Sequence, residues 1–109
     1  HIKKSVKLYK ERRDYFCRLL KDQLGGHISF KTPDGGMSVW VKFLTSDLST
    51  ISVNALKKGL IINDGTEFDS AKVKYNATRL GFASLDFREQ EQAVKILKEL
   101  LSQDLGRHK

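Results

Sequence analysis

"HISFKTPDGGMSVWVKF", residues 27–43, holds two alternating runs on either side of a turn. In the first, Ile28 and Phe30 alternate with His27, Ser29 and Lys31. In the second, Met37, Val39, Val41 and Phe43 alternate with Ser38, Trp40 and Lys42. A period of two marks a strand with one face buried and one face open. Between the runs lies Pro33-Asp34-Gly35-Gly36, where proline presets the first dihedral of a turn and glycine permits positive φ. The stretch therefore predicts an antiparallel hairpin, with Gly35, Gly36 and Trp40 shaping it.

Upstream, Ile2, Val6, Tyr9, Phe16, Leu20 and Leu24 fall at helical spacing. They predict a long amphipathic helix over about residues 2–24, stopped by Gly25-Gly26. Downstream, Leu48, Ile51, Ala55 and Leu56 give the inward stripe of a short helix over 48–58, with Gly59 as its stop. "LIIN" (60–63) reads as a third strand, "DGTEFDSAKVKYN" (64–76) as a loop, and "ATRLGFAS" (77–84) as a fourth strand. Asp86 and Glu89 have capping-box spacing before a last helix whose stripe is Ala93, Val94, Leu97, Leu100 and Leu101. This order predicts a single α+β domain over residues 1–109, a small mostly antiparallel sheet of about four strands with helices packed on one face. The other face is left to solvent or to something outside these residues.

With 109 residues, 39% hydrophobic and 30% charged, the composition is that of a folded globular chain. Cys17 is alone, which excludes an internal disulfide and suits a reducing compartment. No apolar run approaches the roughly 20 residues that span a bilayer, and no signal-peptide pattern is present. A cytoplasmic chain without membrane contact is expected. The sequence has no starting Met and begins in mid-pattern, so these residues are expected to be a fragment of a longer protein. Eight cations against Glu11 and Asp14 put a net +6 of the chain's +7 within residues 1–21. A basic helix can meet phosphates, but no nucleic-acid-binding motif accompanies this one. A solvated face, or one docked on an acidic neighbour, is the preferred reading.

In the run around "TRLGF", Leu80 and Phe82 share the core face, while Arg79 shares the other with Gly81 and Ala83. A guanidinium flanked by small residues has space for a carboxylate or phosphate held by two parallel hydrogen bonds. The alternatives are a solvated arginine, or one paired with Glu67 or Asp69 in the preceding loop.

Four segments together resemble the C-terminal small domain of the fold type I, class I/II aminotransferases, which depend on pyridoxal phosphate. They are "LYKERRD" (8–14), "PDGGMSVWV" (33–41), "ALKKGLIINDGTEF" (55–68) and "TRLGFASLD" (78–86). The likeness covers essentially the whole chain. The "ERRD" and "RLGFASL" wording is most similar to the MocR branch, in which an aminotransferase-like domain follows a GntR-type winged helix and acts in transcription. The resemblance implies that Arg79 binds the α-carboxylate of an amino-acid substrate or effector, and that Phe68 lies near the mouth of the site. It implies that pyridoxal phosphate is held mainly by a large domain of the same chain, that the full-length protein is a homodimer, and that DNA is met only through an N-terminal domain. None of the lysines stands in the family's Schiff-base motif, so these residues alone are expected to be inactive. The alternative to a regulator is a free-standing aminotransferase acting between an amino acid and a 2-oxo acid. One departure is Asp64, where the family usually has proline, which bears on the path of the loop carrying Phe68.

Overall fold

The computed structural model describes residues 2–33 and 36–107, with side chains from residue 7 through 103. The side chains of Ile2 and Val6, and the turn residues Asp34 and Gly35, lie outside the described residues. The elements run α1 (Ile2–Leu24), β1 (Ile28–Phe30), β2 (Ser38–Phe43), α2 (Leu48–Lys57), a 3-10 turn (Thr66–Phe68), β3 (Ala77–Gly81) and α3 (Phe87–Arg107). The chain is thus α+β.

Helix α1 ends where Gly26 takes a φ of 95° and His27 donates to the Leu24 carbonyl at 2.9 Å. That left-handed step suits glycine. The helix buries Phe16, Cys17, Leu20 and Leu24, while Tyr9 sits at the exposed margin of the stripe. Two of its cations are structural: Arg12 donates to the Ala83 carbonyl, and Arg13 pairs with Asp14 and donates to the Pro33 carbonyl at 3.2 Å. The capping box before α3 forms as expected. Glu89 N–H donates to Asp86 at 2.8 Å, and Asp86 N–H donates back to Glu89 at 3.0 Å. Helices α1 and α3 are tied by the fully buried Gln90, whose Nε2 donates to the Arg12 carbonyl at 3.0 Å.

The sheet is antiparallel in the order β1-β2-β3. Its inner face carries Ile28, Val39, Val41, Phe43 and Leu80, all buried, with Phe82 just beyond β3. They pack with Leu20, Leu24, Ile51, Val94, Leu97 and Leu101 of the helices as one core. Each such side chain contributes about 1.5–3 kcal/mol by leaving water.

Three expectations need correction. The sheet has three described strands rather than four, because residues 60–63 run without ladder bonds. The Leu60 N–H turns back to the Ala55 carbonyl at 2.9 Å, and the Ile62 carbonyl is taken by the Ser52 hydroxyl at 2.9 Å. Leu60 and Ile62 pack on the core by side chain alone, with Ile61 82% exposed between them. Leu56, expected inward, is 62% exposed, since the α2 stripe follows Leu48, Ile51 and Ala55. Met37 precedes β2 and is exposed, so the inward alternation starts at Val39.

Candidate functional site

The register of β2 on β3 decides what the open face presents. Trp40 lies directly opposite Arg79, with Ser38 opposite Gly81 and Lys42 opposite Ala77. Paired residues share a face, so tryptophan and guanidinium emerge side by side on the side away from the helices. The Arg79 Cζ lies 6.0 Å from the centre of the Trp40 ring, within cation–π range.

The loop between α2 and β3 folds back over this face. Phe68 meets Trp40 edge-on at 5.0 Å between ring centres, and Tyr75 does so at 6.1 Å. Gly65 sets the approach. It has a φ of 80°, and a Cβ added there falls 2.2 Å from the Ala77 carbonyl oxygen, too close for any side chain. Trp40 stays 37% exposed and Tyr75 44% exposed, leaving the rim of the cluster open.

The loop is braced by its own polar groups. Asn63 Oδ1 accepts from Gly65 N–H at 2.8 Å, and Asn63 Nδ2 donates to Glu67 at 2.8 Å. Asp64 accepts from the Thr66 N–H at 3.0 Å and from the Thr66 hydroxyl at 2.7 Å. These bonds, the backbone one first, hold the Asp64 carboxyl below its usual range. Asp64 therefore replaces proline's rigidity with an Asx turn, and the loop still delivers Phe68 to Trp40. Asp69 accepts from Tyr75 N–H at 3.0 Å, and Ser70 Oγ from Val73 N–H at 3.1 Å. The loop closes at Asn76, whose φ is 53°. Its Nδ2 donates to the carbonyls of Phe43 at 2.9 Å and Ser46 at 2.8 Å, and its Oδ1 caps α2 by accepting from Leu48 N–H at 2.8 Å.

This bracing removes one reading of Arg79, the pairing with Glu67 or Asp69. Glu67 is engaged by Asn63 and Asp69 by the Tyr75 backbone, and among the described residues Arg79 forms no ion pair. Along the edge of β3 it also borders a cleft of about 230 Å³ that opens toward the helices, walled by the 60–63 segment, Leu80, Phe16, Ala93 and Leu97 rather than by the three rings. Arg79 is thus exposed, with an aromatic ring beside it.

Phe68 and Arg79 are brought together through Trp40, which sequence reading left to the hairpin; Tyr75 it did not single out. Alternation puts Trp40 on the open face, but only the β2–β3 register puts it against Arg79. Gly36 keeps the role expected of it, with a φ of 84° before β2.

No family model matches the chain. Over 107 residues it is 30% identical to the uncharacterized HTH-type transcriptional regulator YdfD of Bacillus subtilis, a match covering 94% of this chain and 22% of that protein. Over 106 residues it is 26% identical to aromatic-amino-acid aminotransferase 1 of Thermococcus litoralis, covering 96% of this chain and 25% of that one. Among solved structures, the multiple substrate aminotransferase of Thermococcus profundus matches with a TM-score of 0.85 at 28% identity, over 98% of this chain and 27% of that one. The chain spans about a quarter of the length of each of these proteins.

The face can be tested against the cofactor of such enzymes. One guanidinium with space beside it fits a carboxylate. A phosphate cradle of the backbone kind needs free amides, and those of Gly65, Thr66, Phe68, Asp69, Ser70, Val73 and Tyr75 are already donated within the loop. The loop therefore offers no cradle of free backbone amides for the cofactor's phosphate. By sequence and by fold together, the chain resembles the small domain of the fold type I, pyridoxal-phosphate-dependent aminotransferases, a likeness it also bears to a helix-turn-helix regulator.

Proposed function

We propose that this chain is the C-terminal small domain of a longer aminotransferase-like protein, and that Arg79 binds the α-carboxylate of an amino-acid substrate or effector. The observation that carries this is the exposed guanidinium, without a carboxylate partner among the described residues and set against Trp40. Arg79 holds the carboxylate by two parallel N–H···O bonds, which fixes the orientation of the amino group and Cα. Phe68, Trp40 and Tyr75 border the bound molecule and keep water from one side of it. The cofactor, pyridoxal phosphate, is held by the large domain of the same chain, and the full-length protein is a homodimer.

The full-length protein is a regulator of the MocR type, whose DNA contact lies in an N-terminal winged helix; the likeness to the Bacillus regulator supports this. A free-standing aminotransferase is the second reading, supported by the likeness to the Thermococcus litoralis enzyme over 96% of the chain.

The test uses the full-length protein loaded with pyridoxal phosphate, wild type beside Arg79→Ala, with an amino-acid panel and a 2-oxo acid acceptor. A charge-assisted hydrogen bond is worth about 1.5–3 kcal/mol, so Arg79→Ala weakens amino-acid binding by about ten- to a hundredfold. An affinity within twofold of wild type refutes the role. Steady amino transfer that collapses in the variant selects the enzyme. Binding without turnover, with DNA affinity altered by amino acid, selects the regulator.

A further inference from the structure

The open face carries more than a cation. Beside Arg79 stands Trp40, and two further rings meet Trp40, Phe68 edge-on at 5.0 Å and Tyr75 at 6.1 Å. Trp40, Tyr75 and the neighbouring Val73 all remain more than a third exposed, although residues of this size usually gain most from burial. Nothing among the described residues covers that rim. Its geometry is nonetheless fixed beforehand by the braced loop and the tight passage at Gly65. A preformed apolar wall next to one charged fork is the usual make-up of a small-molecule subsite.

The distances limit what can occupy it. A carboxylate bonded to the Arg79 fork puts its carbon about 4 Å from Cζ, given hydrogen bonds of about 2.8 Å. The Trp40 ring centre is only 6.0 Å from the same Cζ. A ring carried one or two bonds beyond that carboxylate and turned towards Trp40 can reach the indole, which a methyl group is too short to cover.

We infer that Trp40 and Tyr75 form the side-chain subsite of the carboxylate-binding site at Arg79, and that it selects amino acids, or the corresponding 2-oxo acids, with an aromatic side chain. This inference rests on the reading of Arg79 given above. It assigns Trp40 and Tyr75 to specificity and Arg79 to affinity for every amino acid. Lys42 is exposed on the same face and diagonal to Arg79 in the register, so an acidic side chain is the competing occupant.

The experiment is calorimetric titration of the full-length, cofactor-loaded protein with L-phenylalanine, L-alanine and L-glutamate, in wild type, Arg79→Ala, Trp40→Leu and Tyr75→Leu. Contact between aromatic rings accounts for about a two- to tenfold preference. Wild type is therefore expected to bind phenylalanine at least that much more tightly than alanine, with glutamate no better than alanine. In Trp40→Leu the phenylalanine-to-alanine ratio falls towards one, and in Tyr75→Leu it falls by a smaller factor. In Arg79→Ala both affinities drop together and the ratio persists. A ratio unchanged in both aromatic variants overturns the subsite while leaving the Arg79 reading intact, as does a wild type that prefers glutamate. A wild type that binds none of the three overturns both. Near-ultraviolet circular dichroism of each variant shows whether a lost ratio comes from a lost fold.

Discussion

On the side of the sheet turned to the helices, Val39, Val41 and Leu80 disappear under side chains of the same chain. One residue along in each strand, Trp40 and Arg79 point the other way and remain exposed. The first face is held by the summed burial of many interchangeable apolar groups, so its energetics depend on volume. The second is held by a few particular partnerships: a guanidinium beside an indole, and a loop that bonds to itself and meets Trp40 through two rings. Substitutions on the two faces should therefore fail in different ways. Loss of volume on the first costs the fold, whereas loss of identity on the second costs recognition.

The largest break comes on the covered side. Phe82 is completely buried and packs on Phe16 with ring centres 6.4 Å apart. Phe82→Ala is expected to lower stability by about 3–5 kcal/mol, read as a shift in the urea unfolding midpoint. Asn76 joins the two sides, and Asn76→Ala removes three hydrogen bonds at once, one of them the cap of α2. A loss of about 2 kcal/mol is expected, accompanied by faster exchange of the amides in the first turn of α2. Arg79→Ala sharpens the comparison from the other side. Its stability should stay within about 0.5 kcal/mol of wild type even as amino-acid binding falls. A large loss of stability there would make Arg79 part of the scaffold.

The smallest effect is that of pH on the loop. Bonds from Thr66 hold the Asp64 carboxyl below its usual range in the fold. Its contribution is therefore in force above the ordinary carboxylate pKa of about 4 and is lost as pH falls through the lower folded value. Asp64→Asn should flatten that acid limb, seen as a smaller pH dependence of the thermal midpoint below a pH of about 4. An unchanged acid limb would show that Asp64 does not order the loop.

Alternation along residues 38–43, the glycine stop after α1 and the Asp86/Glu89 box are local signals, and the structure follows each of them. Residues 60–63 have equally good strand chemistry but no ladder. Their polar groups are instead taken by partners upstream, the Ala55 carbonyl for the Leu60 N–H and the Ser52 hydroxyl for the Ile62 carbonyl, and no pattern within "LIIN" carries that information. The site divides in the same way. Arg79 is legible because a cation inside an apolar alternation is conspicuous by itself. Trp40 is not, because the relation of residue 40 to residue 79 is a fact of register, which depends on pairing between segments nearly forty residues apart. Asn76 is harder still, since its importance lies in accepting one left-handed φ and reaching three backbone groups on other elements.

Strand β2 is where both faces meet, and this bears on how the chain can vary. Val39 and Val41 look into the core while Trp40 between them looks out, so a single inserted or deleted residue within the strand would exchange the two sets. Core and open face would then be lost in the same event, with no intermediate in which one survives. Length changes are tolerable in the connection between β1 and β2, where residues can be added without altering how β2 meets β3. Descendants of this sequence should accordingly differ freely in the length of that turn and hardly at all in the spacing from Val39 to Phe43, and a library of single-residue insertions scored for folding would display that contrast directly.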